Sequence, residues 1–231
     1  MKTILIVLAV ALTSFGVYYI SSQSGSTSNI RGTSYDMYVF AIQWGKTMCI
    51  DGNSSCNSKL SAIPKNEVSI HGLWPSLKSG AKMSDCNSGS SISVKNDGSS
   101  VFSSMKTYWP SLSSTSNEQF WTHEFNKHGY CYSKDYKTYF QKSMDVFKGK
   151  NLHRLILNAV GSHSGNYSIS VSDLKTKLNN VLGGKYYGLV CKSYSGKKYL
   201  SEIRITMDTN FNYIKSTLSD SCSGTILIPF R

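Results

Sequence analysis

Met37-Tyr-Val-Phe-Ala-Ile-Gln-Trp44 is the stretch from which the fold can be read. It holds no Gly, Pro or charge, and Tyr, Val, Phe, Ile and Trp fill most of it. Such a run predicts a central strand covered on both faces. Far downstream, Ile203, Ile205 and Met207 alternate with Glu202, Arg204 and Thr206, the two-residue period of a half-buried strand. Leu189 to Tyr194, a Ser195-Gly196 turn and the residues from Lys197 predict a hairpin leading into it. Thr225 to Phe230 reads as a last strand, with Pro229 confining that end to a sheet edge.

Helical signals lie between these strands. Thr115-x-x-Glu118 has the form of a capping box, and Gly129 is placed to end the helix that follows. Ser133 is a candidate cap for a second helix, whose Tyr136, Tyr139, Phe140, Met144 and Phe147 form an apolar stripe suited to core packing. A third helix is predicted from Ser172 to Leu182, ending at Gly183-Gly184, and the Ser/Gly-rich Asn87 to Ser100 reads as loop. Strands and helices without regular βαβ alternation predict an α+β fold, a central antiparallel sheet flanked by several helices.

The N-terminus reads as a secretory signal over residues 1–16, with Lys2 as its positive region, Ile4 to Leu12 as its apolar core and Ser14-Phe15-Gly16 as a cleavage candidate. A membrane anchor is the alternative, because Val17 to Ile20 prolongs the apolar stretch. Thr13, Ser14 and Gly16 interrupt it, however, and it falls short of the roughly 20 residues of a comfortable span. Residues 17–34 read as a flexible leader, and residues 35–231 as a single domain, long enough to bury a real core. Six cysteines with no C-x-x-C pair among them, behind such a leader, suggest disulfides rather than metal ligands. The sequons at Asn53 and Asn166 agree with that route. A formal charge of +12 favours a polyanionic partner such as nucleic acid, or an anionic membrane surface, although solubility alone would also account for it.

Three of the five histidines fall in two short segments, Ile70-His71-Gly72-Leu73-Trp74-Pro75 and Phe120-Trp-Thr-His123-Glu124-Phe-Asn-Lys127-His128-Gly-Tyr-Cys131. Imidazole is the side chain that can give and take protons near neutral pH, and two facing one bond equip a site for general acid–base cleavage. On an α-helix Glu124 and His128 are i, i+4 neighbours, as are His123 and Lys127. His123-Glu124 invites comparison with the H-E-x-x-H zinc motif. The second histidine lies five positions on rather than four, no third ligand stands out, and a metal site is rejected. A Cys86–Cys131 bond would tie the two segments together, but six cysteines allow fifteen pairings. His153 and His163 match no motif position and are expected to be structural or exposed.

Together the two segments resemble the active-site segments of the T2-type secreted ribonucleases. The likeness extends to Phe40-Ala-Ile-Gln-Trp44, Tyr108-Trp-Pro-Ser-Leu112, Gly188-Leu-Val-Cys191 and Leu200-Ser-Glu-Ile203. It implies the disulfide-stapled fold of that family and a metal-free, cofactor-free endoribonuclease that cleaves single-stranded RNA with low base specificity through a 2′,3′-cyclic phosphate. His128 would be the general base and His71 the general acid. Lys127 and Glu124 would steady the phosphorane and His123 would hold the phosphate. Trp74 would line one base pocket, and Gln43 with Phe120 part of a second. Cys191–Cys222 and Cys49–Cys56 would be the remaining bridges, since Thr206-Met207 stands where many relatives carry another cysteine. An acidic optimum, no cleavage of DNA, a monomer without stable membrane association, and an extracellular or lysosomal/vacuolar destination complete the expectation. The alternative is a catalytically silent secreted RNA-binding protein on the same fold. Retention of His71, Glu124, Lys127 and His128 speaks against it. Phe125 and Tyr130 stand where many members have Trp and Thr, which predicts altered packing rather than altered chemistry. Ser76 replaces an acidic base-reading residue of some members, which leaves purine preference open.

Overall fold

The computed structural model describes residues 34–52, 54–61, 63, 68–80, 83, 86 and 91–230. The signal and most of the leader, together with Asn53, lie outside them. Met37–Trp44 forms β1, buried at every position as its composition requires. It is flanked on one side by β2 (Val68–Ser76) and on the other by β5 (Lys197–Met207), both antiparallel to it. β4 (Tyr187–Tyr194) pairs with β5 across the Ser195-Gly196 turn, where both residues take positive φ. The sheet continues through β6 (Thr225–Pro229) to β3 (Asn166–Ser170), in the order β2-β1-β5-β6-β3. β6 is therefore an interior strand, not an edge. Its link to β5 is a single parallel bridge, Tyr199 to Leu227, so at Pro229 only the β3 side is paired and the missing N–H is tolerated. Asn166, the described sequon asparagine, is exposed at the start of the outer strand β3.

The helices include the short α1 (Gly45–Met48) and α2 (Ser54–Leu60), then α3 (Ser100–Tyr108) and α4 (Asn117–Glu124). A π-helical turn (Phe125–Gly129) continues α4 into α5 (Tyr130–Tyr132), and α6 (Tyr136–Gly149), α7 (Leu152–Val160) and α8 (Val171–Leu182) follow. Mixed strands and helices around one core make this an α+β fold. Among the described residues no helix is long and apolar enough to cross a membrane. The predicted apolar stripe lies on α6, with Tyr139, Phe140, Met144 and Phe147 buried. Gly183 ends α8 in the left-handed conformation, as read from the sequence.

Three local signals resolve differently. The capping box is Ser116 with Gln119, one residue beyond the Thr115/Glu118 reading: the Ser116 hydroxyl accepts from the Gln119 N–H while the Gln119 side chain accepts from the Ser116 N–H. Thr115 instead joins a hydroxyl cluster with Ser111 and Ser113. Ser116→Ala should therefore lower stability by about 1 kcal/mol in urea denaturation, and Thr115→Ala by clearly less. Asp135, not Ser133, caps α6, accepting from the Lys137 and Thr138 N–H groups. Gly129 does not end its helix. It keeps right-handed dihedrals, and a Cβ there would lie 2.6 Å from Tyr139 and 2.7 Å from Phe125. Its role is close packing of the π-turn on α6.

All three disulfides form as the resemblance implies: Cys49–Cys56, Cys86–Cys131 and Cys191–Cys222. Phe125 is buried among Tyr130, Tyr136, Tyr139 and Phe140 and places an aromatic body in the core.

Candidate active site

His71 owes its direction to a bulge. Ala41 pairs with Gly72 and Ile42 with Ile70, so His71 is the extra residue of β2 with no partner on β1. A regular strand would send His71 and Gly72 to opposite faces. The bulge turns the imidazole to the side occupied by Gly72 and Trp74. β2 is also an edge strand, and side chains from the helices cover its outer rim. Tyr139 Oη donates to the Leu73 carbonyl at 2.9 Å and accepts from its N–H at 3.3 Å, while Trp109 Nε1 donates to the His71 carbonyl at 2.7 Å. Trp121 Nε1 in turn donates to the Trp109 carbonyl. Trp109 and Trp121 are fully buried and brace the backbone of His71, Trp109 directly and Trp121 through it.

Opposite this strand, the π-turn replaces regular α-helix over Phe125–Gly129, so the Tyr130 N–H reaches back five residues to the Phe125 carbonyl. The i, i+4 spacing assumed for Glu124 and His128 is thus widened locally. Cys86 fastens the turn, through its bond to Cys131 and its N–H to the Lys127 carbonyl.

The two segments meet around Glu124, which is 1% exposed. Its Oε2 accepts from Trp74 Nε1 at 2.9 Å, and its Oε1 lies 3.5 Å from His71 Nε2. Gly72 makes the approach possible: a Cβ there would stand 2.2 Å from Glu124 Oε2 and 2.3 Å from Trp74 Nε1. The His128 ring lies 5.0 Å from Trp74, tilted by 30°, and the Phe120 ring lies 5.9 Å from His71. His123 and Lys127 have exposed side chains on the same helical segment. Gln43 is buried next to the site, paired across the sheet with Glu202, and its Oε1 has no hydrogen-bond partner. His153 and His163 stand apart, His163 stacked on Tyr167.

One residue of this cluster was expected on the polar face of a half-buried strand and was given no role in the site. Glu202, 5% exposed, accepts from His71 Nδ1 at 2.6 Å with Oε1 and from Arg204 Nε at 2.7 Å with Oε2. The sequence signal was present in part, since an acidic residue between Leu200 and Ile203 must find a partner if buried.

Electrostatically the two histidines are driven apart. Burial works against protonation of His71, but hydrogen bonds and charges from Glu124 and Glu202 outweigh it and raise its pKa from 6.5 to about 9. His128 is lowered to about 4, first by burial and then by the positive charges of Lys127, His71 and His123, against the opposing pull of Glu124. Burial would raise Glu124 and Glu202, yet their imidazole partners hold both below the usual carboxylate value. Between about 4 and 9, His71 carries a proton and His128 does not.

The chain matches the model of the Ribonuclease T2 family over residues 35–222. It is 30% identical to Ribonuclease Rh of Rhizopus niveus over 91% of this chain and 89% of that protein. Ribonuclease 3 of Arabidopsis thaliana is 31% identical over 76% of this chain and 80% of its own length. Ribonuclease MC1 from bitter gourd seeds shares the fold, with a TM-score of 0.68 over 83% of this chain and 99% of that one, at 24% identity. The site is assembled from segments inside the matched region, and the chain belongs to the ribonuclease T2 family.

Proposed function

We propose that this ribonuclease cleaves single-stranded RNA by metal-free general acid–base transesterification. The observation that carries the reading is the placement of His71 and His128 about the Trp74 ring and the buried Glu124, with the His71 pKa raised and the His128 pKa lowered, an acid and a base held ready at the same pH. Neutral His128 takes the proton of the ribose 2′-OH, and the freed oxygen attacks the adjacent phosphorus. The phosphorus–O5′ bond breaks as the His71 imidazolium delivers its proton to the leaving 5′-oxygen. The products are a 2′,3′-cyclic phosphate and a free 5′-hydroxyl. In the slower hydrolysis the histidines exchange roles, His71 taking a proton from water and His128 returning one to the 2′-oxygen.

Lys127 supplies positive charge to the pentacoordinate phosphorus and His123 holds a phosphate oxygen. Glu124, screened from water, orients His71 and Trp74. Trp74, Phe120 and Gln43 supply the base contacts. Aromatic stacking tolerates any base, and low sequence specificity follows. DNA lacks the nucleophile and stays intact. The signal-like residues 1–16 and the disulfides support routing through the secretory pathway to an extracellular or lysosomal/vacuolar destination.

The test is cleavage of a short single-stranded RNA, with matched DNA alongside, in EDTA at acidic and neutral pH, by wild type and His71→Ala. A cyclic-phosphate product from wild type alone, with the DNA uncut, is the expected result. Intact RNA after incubation with well-folded wild type would overturn the reading and favour a binding protein on this scaffold.

A further inference from the structure

We infer that Glu202, clamped by Arg204, is the positioning residue of His71: it ties down Nδ1 and leaves Nε2 as the one nitrogen free to serve the leaving oxygen. The inference rests on the ribonuclease reading and extends it to a strand that neither active-site segment contains.

The geometry separates the two carboxylates that flank His71. Glu202 holds Nδ1 in a short hydrogen bond of 2.6 Å between charged partners, whereas Glu124 stands off Nε2 at 3.5 Å. The first contact is made to persist and the second to yield when a phosphate ester enters. A carboxylate accepts and does not donate, so the contact with Glu202 requires the proton on Nδ1 and fixes the orientation of the ring. Glu202 is itself immobilised, because its two oxygens are divided between His71 and Arg204.

Arg204 is held in turn. Its guanidinium lies 5.1 Å from the centre of the Trp74 ring, and Trp74 donates to Glu124. The contacts close a circuit: Glu202, His71, Glu124, Trp74, Arg204 and back to Glu202. Burying a carboxylate on a sheet face costs free energy that an apolar residue would avoid, and a task at His71 gives this position a reason to bear it.

The charged and titratable groups facing His71 are Glu202 with Arg204 from β5, Glu124 from α4 and His128 from the π-turn. Lys127 and His123 act on His128. Of these, only Glu202 contacts Nδ1.

Glu202→Gln retains an oxygen that can accept from Nδ1 and removes the charge. It should move the alkaline limb of the kcat/KM profile on RNA down by about 1–2 pH units. The His71 imidazole resonance, followed by NMR through a pH titration, should move by the same amount. Glu202→Ala should lower kcat roughly 10–100-fold with little change in KM. Arg204→Gln, at a half-exposed position that folding tolerates more easily, should show a smaller loss of kcat in the same direction. A folded Glu202→Gln protein whose alkaline limb and His71 titration both match an RNA-cleaving wild type would overturn the inference alone. Wild type that leaves RNA intact would sink the ribonuclease reading and this inference with it.

Discussion

His128→Ala should reduce kcat/KM on single-stranded RNA by about 10²–10⁴-fold, the usual worth of a positioned general base. The same variant should lose the acid limb of the pH profile while keeping the alkaline one. In wild type, kcat/KM should climb as His128 gives up its proton near pH 4 and decline as His71 does so near pH 9. The limbs of kcat/KM report groups of the free enzyme, so they should track these environments directly. Retention of the acid limb in His128→Ala would remove His128 from the base role.

The same displacements act on stability, and their signs differ. His71 has a raised folded pKa, so its contribution is fully present below the unfolded value near 6.5 and is lost as pH rises through about 9. His128 has a lowered one, so its contribution is present above 6.5 and is lost as pH falls through about 4. Glu124 and Glu202, both held below the carboxylate value, add to the loss on the acid side. The site's contribution to stability should therefore be greatest near pH 6.5. With two buried carboxylates flanking His71, kcat/KM should hold a plateau that extends from the expected acidic range to neutral pH, which a pH–rate profile on RNA would check.

What was legible in the sequence depended on how local its cause was. The β1 run, the Ser195-Gly196 hairpin and the α6 stripe follow from residues close together in the chain, and each forms where it was read. The His71 and His128 segments were likewise legible as a pair. The direction of His71 was not, because a bulge depends on the register of β2 against β1 and no single segment states it. Gly129 carried a true signal with two meanings: a glycine near a helix end can terminate it or admit a ring, and Tyr139, ten residues on, decides for the ring. Glu202 lies 131 residues from His71 and looked like the wet side of a half-buried strand. On that side of β5, Glu202 and Arg204 meet His71 and Trp74 and become part of the site, while Thr206 donates its hydroxyl to backbone carbonyls instead.

Replacing both Cys86 and Cys131 with serine should destabilise the protein by about 4 kcal/mol, the chain-entropy value for a bridge spanning 45 residues. The same change at Cys49 and Cys56, which span only 7, should cost about 2 kcal/mol. Chemical denaturation of the three proteins gives both numbers. Activity should separate the bridges further. Cys86 holds the π-turn at two points, the disulfide to Cys131 and the hydrogen bond to the Lys127 carbonyl, and that turn carries Lys127 and His128. Loosening it lets His128 drift relative to Glu124 and Trp74, so kcat should fall even at temperatures where the variant remains folded. Cys49 and Cys56 pack in a separate small cluster with Leu60, Ile63 and Leu112, and their loss should leave kcat of the folded protein near wild type. Equal effects on kcat from the two double variants would mean that the π-turn keeps its shape without the bridge, and that Tyr139 and Phe125 packing around Gly129 is sufficient to hold His128 in place.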